Sequence, residues 1–124
     1  MKVHTDFSSY INVKNPVVTV GTFDGVHLGH QKILNRIKKI ASSVSGETVL
    51  LTFHPHPRKV LFNDKKVKLI HTLNEKIKVL EKKGLDHLVI YPFTRSFSTY
   101  SAQKYVEELI VNKLKTHTLV IGYD

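Results

Sequence analysis

Val17-Val18-Thr19-Val20, running into Gly21-Thr22-Phe23-Asp24-Gly25-Val26-His27-Leu28-Gly29-His30, is the stretch that decides how this chain folds. A short β-branched run ended by glycine reads as a strand buried on both faces, as in parallel sheets. Past the turn, Ile33, Leu34, Ile37, Ile40, Ala41 and Val44 recur at spacings of three and four, the period of a helix, and Ser45-Gly46 supplies its stop. A strand that turns over glycines into a helix opens a βαβ unit.

The same alternation continues downstream. Thr48 to Phe53 is a second strand, stopped by the stiff run His54-Pro55-His56-Pro57. Thr72 and Glu75 have the spacing of a capping box, which predicts a helix through Ile77, Leu80 and Glu81 that ends at Gly84. His87 to Tyr91 is a third strand closed by Pro92. Ser101 caps a helix carrying Ala102, Tyr105, Val106, Leu109, Ile110 and Leu114, and Thr118 to Ile121 is a fourth strand. Strands joined through helices of this length need crossover connections. The expected fold is therefore α/β, a Rossmann-like doubly wound parallel sheet of about four to five strands with helices on both faces.

Composition narrows the class. The chain has 124 residues, 41% hydrophobic and 23% charged, with no cysteine, so disulfide and thiolate-metal chemistry are excluded. The residues from Met1 to Lys14 alternate polar and apolar without the apolar core of a signal peptide. Nothing later reaches membrane-spanning length, so a soluble, cytoplasmic protein is expected. A net charge of +9 calls for an anionic partner, either nucleic acid or nucleotide phosphates. The pairs Lys38-Lys39, Lys65-Lys66 and Lys82-Lys83 read as solvated faces. No aromatic stripe interleaves with them, so nucleic acid is not the expected partner.

In a sheet of this kind ligands sit beyond the carboxyl ends of the strands. After the first strand, Gly21 and Gly25 allow a tight turn and a close approach of backbone to ligand. The helix that follows offers free N–H groups and the positive end of its dipole to an anion. His27 and His30, three apart, share one face of its first turn, and Gly29 between them removes an obstructing side chain. Two imidazoles there can donate to phosphate oxygens and stabilise growing negative charge. The segment is neither a Walker loop nor a dinucleotide fingerprint, because neither set of spacings is met.

GTFDGVHLGH at Gly21–His30 resembles the HxGH signature of the nucleotidyltransferase superfamily, in the form found in bacterial bifunctional FAD synthetases. TFHPHPRKVL at Thr52–Leu61, PFTRSFSTYSAQKYVEEL at Pro92–Leu109 and VIGYD at Val120–Asp124 resemble three further blocks of that family, in the same order. The resemblance implies a nucleotidyltransferase-type domain acting as the N-terminal FMN adenylyltransferase module of a riboflavin kinase/FMN adenylyltransferase. It implies transfer of AMP from ATP to FMN, giving FAD and pyrophosphate, with Mg2+ accompanying ATP and no resident metal site. Carried onto this chain, His27 and His30 would be catalytic, holding the triphosphate and stabilising the transition state. Gly21, Thr22, Phe23, Asp24, Gly25 and Gly29 would line the nucleotide, as would Gly122 and Asp124 at the start of a later loop. Pro55, His56, Pro57 and Arg58 would meet FMN, Arg58 through its phosphate.

Other readings stand beside these. The His54–Arg58 segment is also readable as a rigid loop, or as a metal-chelating His54/His56 pair. Phe93 and Phe97 suit either the core or stacking on flavin. Cytidylyltransferases and coenzyme A pathway adenylyltransferases also carry HxGH, and a non-catalytic nucleotide- or nucleic-acid-binding module would explain the charge. The family pattern continues past Asp124 into further motifs and a riboflavin kinase module. The expectation is thus a partial transferase domain over 1–124 without the kinase, prone to self-association through uncovered apolar surface.

Overall fold

Val17–Val20 (β2), Thr48–His54 (β3) and His87–Pro92 (β4) form the centre of a parallel sheet, with Val17 opposite Thr48 and Val49 opposite His87. Lys2–His4 (β1) adds to β4 at one edge and Thr118–Val120 (β5) to β2 at the other, giving the order β1-β4-β3-β2-β5. This computed structural model describes residues 1–23, 28–55 and 72–121.

The central strands are apolar at successive positions, and successive side chains point to opposite faces. Val17, Leu50, Leu88 and Ile90 therefore face one layer, formed by Leu28–Ser43 (α1) through Leu34, Ile37 and Ala41 and by Leu73–Lys82 (α2) through Leu80. Val18, Val49, Leu51 and Val89 face the other. That layer holds Phe97 from the short helix Arg95–Ser98 (α3). It also holds Leu109, Ile110 and Leu114, which follow the single turn Ala102–Tyr105 (α4). Helices on both faces of an all-parallel sheet are the architecture expected above.

Local signals explain the helix ends. Thr72 Oγ1 accepts from the Glu75 amide at 3.2 Å while the Glu75 carboxylate accepts from the Thr72 amide at 3.2 Å, the reciprocal box read from the sequence. Gly84 closes α2 at φ +81°. Gly46 is required for a different reason, since a Cβ there would lie 2.3 Å from the Asn15 carbonyl oxygen. Ser101 caps α4 as expected, its Oγ accepting from Lys104 N at 3.1 Å. The helix does not continue as α, however. Val106–Lys113 is a π-helix, closed by Leu114 N donating to Leu109 O at 2.8 Å. That winding keeps Leu109, Ile110 and Leu114 on the sheet while Val106 and Val111 face outward.

Strand order reverses between β2 and β5. The chain steps from β2 to β3 to β4 in one direction, then returns to the far side of β2, so the topological switch point lies at the carboxyl ends of β2 and β5. Among the described residues no helix is long and apolar enough to cross a membrane.

β1 is absent from the sequence reading. It has only three residues, two of them exposed, and it exists through pairing with β4 and one buried side chain, His4. His4 belongs to a buried chain at the amino edge of the sheet. Glu47 Oε1 lies 2.9 Å from His87 Nε2, His87 Nδ1 lies 2.9 Å from His4 Nε2, and His4 Nδ1 lies 2.7 Å from Ser9 Oγ. An ionised Glu47 accepts from His87 Nε2–H. His87 Nδ1 then accepts from His4 Nε2–H, and His4 Nδ1 accepts from the Ser9 hydroxyl. Tyr10 stands edge-on to both rings.

Burial, then the proximity of His87 and Lys2, hold the His4 pKa below its ordinary value of 6.5, against a smaller opposing pull from Asp6. Burial pushes Glu47 up, but the Lys14 amide and His87 outweigh it and leave that carboxyl below its ordinary value. With His4 depressed in the folded state, the unfolded chain binds more protons just below 6.5. The His4 contribution is therefore complete above that pH and is lost as pH falls beneath it. Glu47 loses its contribution only in the more acidic carboxylate range. The urea midpoint is expected to drop between pH 7 and pH 5, and to drop less in His4→Gln, which cannot titrate. Parallel pH profiles for the two proteins would remove His4 as the cause.

Candidate functional site

β2 ends by passing its pairing one residue further, with Gly21 N donating to Leu51 O at 3.1 Å. The next carbonyl, that of Thr22, accepts from Lys76 Nζ of α2 and lies 3.5 Å from the buried hydroxyl of Thr52. Phe23 then takes φ +50°. Left-handed backbone is unusual for a bulky residue and costs on the order of 1 kcal/mol. The cost is offset because the turn drives the ring inward, where it is 1% exposed and packs in the α1/α2 layer. Within the described part of this turn the left-handed residue is thus Phe23.

The Phe23 ring is the floor on which His30 rests. The two rings are stacked, 4.4 Å between centroids and 13° from parallel. His30 is the third residue of α1, 8% exposed, at the helix end whose backbone N–H groups face the carboxyl edge. Gly29 beside it is exposed and opens onto free space, with no atom within 4 Å of where a Cβ would stand. From Gly29 a groove of about 550 Å3 runs between α1 and β5, with Lys32 and Arg36 on the helix side and Leu119 and Ile121 on the strand side. It starts at the switch point and carries two cations on one face of α1.

At the end of β3, His54 and Pro55 are exposed on the same sheet edge, and the Phe93 amide donates to His54 O at 3.2 Å. Phe97 is buried among Phe53, Tyr91, Phe93, Tyr100 and Tyr105, which assigns it to the core. Phe93 is half-buried and edge-on to Phe53 and Phe97. Among the described residues no three His, Asp or Glu side chains come together as metal ligands do.

The structure thus brings Gly21, Thr22, Phe23, Gly29, His30 and Pro55 to one edge of the sheet. Asp24, Gly25, His27, His56, Pro57, Arg58, Gly122 and Asp124 lie outside the described residues. The approach of Lys76 and Thr52 to the Thr22 carbonyl was not foreseen in the sequence. The signal for Lys76 was present in the stripe Leu73, Lys76, Ile77, Leu80, where a lysine occupies a position at which helical periodicity calls for an apolar side chain.

Compared with known protein families, residues 11–124 match the one described as FAD synthetase. The chain belongs to the FAD synthetase family. Bifunctional riboflavin kinase/FMN adenylyltransferases of Buchnera aphidicola subsp. Schizaphis graminum and Listeria monocytogenes are 38% and 40% identical to it over 110 and 111 residues, in each case 89% of this chain. The Bacillus subtilis protein of the same description is 38% identical over 109 residues, 87% of this chain. The chain spans about a third of the length of these curated relatives, 34–35%. Among solved structures, a crystal structure of a macrolide-efflux protein from Streptococcus pneumoniae superposes with a TM-score of 0.80 at 23% identity, covering all of this chain and 49% of that one. At that identity the likeness is one of fold alone.

The packing of Phe23 against His30 has a direct check in this member of the FAD synthetase family. Phe23→Ala empties a fully buried site and should destabilise the fold by about 3 kcal/mol in urea titration, with the His30 ring resonances shifting as their stacking partner disappears. A loss below about 1 kcal/mol with unmoved His30 signals would contradict the packing described.

Proposed function

We propose that this member of the FAD synthetase family carries the FMN adenylyltransferase chemistry. An oxygen of the FMN phosphate attacks the α-phosphorus of ATP, the bond from that phosphorus to pyrophosphate breaks, and AMP passes to FMN to give FAD. The observation that carries the reading is the convergence of the Gly21–Phe23 turn, open Gly29 and His30 at the amino end of α1. They meet at the switch point of the sheet, in a chain whose residues 11–124 match FAD synthetase.

In this proposal catalysis is positioning together with stabilisation of charge, and the protein supplies no covalent nucleophile. Free N–H groups at the start of α1 and the imidazoles of His30 and His27 receive the triphosphate. Their hydrogen bonds strengthen as negative charge builds on the transferring phosphoryl oxygens and the departing pyrophosphate. Stacking on Phe23 fixes the plane of the His30 ring, so its donor is aimed before the substrate arrives. Mg2+ enters as part of the substrate, bound to ATP. Gly21, Thr22, Asp24 and Gly25 contribute backbone beside the nucleotide, Gly29 leaves room for it, and Gly122 and Asp124, which follow β5 in sequence, are assigned to the nucleotide as well. Pro55, at the end of β3 on the same edge, and the residues that follow it in sequence, His56, Pro57 and Arg58, are assigned to FMN. A cytoplasmic setting, where ATP and FMN are both available, fits this role.

Addition of Mg2+-ATP to isotope-labelled protein should shift the amides of Gly21 to Phe23 and of Gly29 and His30. Incubation with FMN and Mg2+-ATP should yield FAD and pyrophosphate. His30→Ala should lower kcat on the order of 10²-fold with a smaller change in KM for ATP, because its contacts grow toward the transition state. Shifts confined to the lysine-bearing helix faces, or tighter binding of single-stranded oligonucleotide than of ATP, would reject the proposal.

A further inference from the structure

Lys76 is the buried cation that neither the motif pattern nor the FMN adenylyltransferase reading accounts for. It is 8% exposed, while the other lysines of α2, Lys78 and Lys82, are exposed. It shares the inward stripe of α2 with Leu80, which is fully buried. Lysine is almost never buried at such a position without a partner, because its ammonium must be taken out of water. A leucine or methionine of similar volume would serve the core better. The ammonium reaches across 54 residues of sequence to donate to the Thr22 carbonyl.

Three features make that contact a fixed one. The capping box at Thr72 and Glu75 sets the first turn of α2 immediately before Lys76. The Thr52 hydroxyl approaches the same carbonyl at 3.5 Å from the sheet side. The residue after that carbonyl is Phe23, whose left-handed backbone turns its ring under His30. The orientation of the Thr22–Phe23 peptide therefore decides where the His30 floor lies, and Lys76 holds one end of that peptide.

We propose that Lys76 is a positioning residue for the nucleotide site. By holding the Thr22 carbonyl it fixes the turn that aims His30, and through that turn it sets how the site meets a nucleotide. The inference rests on the nucleotide reading for its second half only, since the hold on Thr22 exists without ligand.

Lys76→Met keeps the length and apolar stem of the side chain and removes the ammonium; Lys76→Arg keeps a charged donor. In ligand-free protein, Lys76→Met should speed hydrogen exchange at the Phe23 amide at least 10-fold and shift the His30 ring resonances, with the urea midpoint unchanged or raised. Its Kd for Mg2+-ATP should rise at least 10-fold, and Lys76→Arg should recover part of both losses. A purely structural lysine would lower the midpoint and leave the folded-state signals alone. Phe23 and His30 signals that overlay the wild type overturn the proposal, as does an unchanged Kd. Should Lys76→Met fail to fold, Lys76→Gln reads the same signals with a neutral donor. Absence of ATP binding in the wild type would reject the adenylyltransferase reading and leave the ligand-free signals to decide Lys76.

Discussion

Everything in this fold depends on three central strands that are buried on both faces. Val17, Val18, Val49, Leu50, Leu51 and Leu88 have no exposure at all, so each of β2, β3 and β4 needs a helical layer above it and another below. Parallel pairing satisfies that need through crossovers, and crossovers deliver every strand-to-helix turn to the same edge. The candidate site is what that edge has to offer, namely backbone N–H groups at a helix start, a carbonyl held from two sides and an imidazole backed by a phenylalanine ring. Function is thus concentrated where the apolar constraint lets polar groups reappear.

The two edges of the sheet use histidine in opposite ways. At the amino edge His4 and His87 are closed into a chain by Ser9 and Glu47, with their polar atoms already engaged by protein. At the carboxyl edge the His30 ring is stacked on Phe23 beside the exposed Gly29. Residue type alone does not separate the two cases. The distinction comes from what lies next to each ring in space, and for His4 and His87 that neighbour is 83 residues away in sequence.

Elements specified by local pattern were readable in advance. The β-branched run at Val17, the box at Thr72 and Glu75, the stop at Gly84 and the cap at Ser101 all carry their cause within a few residues. Elements that exist only through distant partners were not. β1 has no pattern of its own beyond three residues, and Lys76 becomes meaningful only beside Thr22. The π-helix after Tyr105 follows from how Leu109, Ile110 and Leu114 meet a sheet already formed. Around the site, the glycines suggested where the chain bends but not that Phe23 takes the left-handed backbone, because there the burial of its ring outweighs its backbone preference.

Tyr10 gives the second layer an unusual place in the order of assembly. Its hydroxyl donates to the Leu114 carbonyl at 2.8 Å, joining positions 104 residues apart, and its ring packs in the same cluster as Leu109 and Ile110. The α1 layer is built from consecutive βαβ units and closes mostly short loops. The opposite layer cannot close until both ends of the described chain are present, and loop-closure entropy weighs against it until then. During synthesis the Tyr10 segment leaves the ribosome 104 residues ahead of its partner Leu114. One face of the sheet therefore waits, apolar and uncovered, until Leu109, Ile110 and Leu114 have followed.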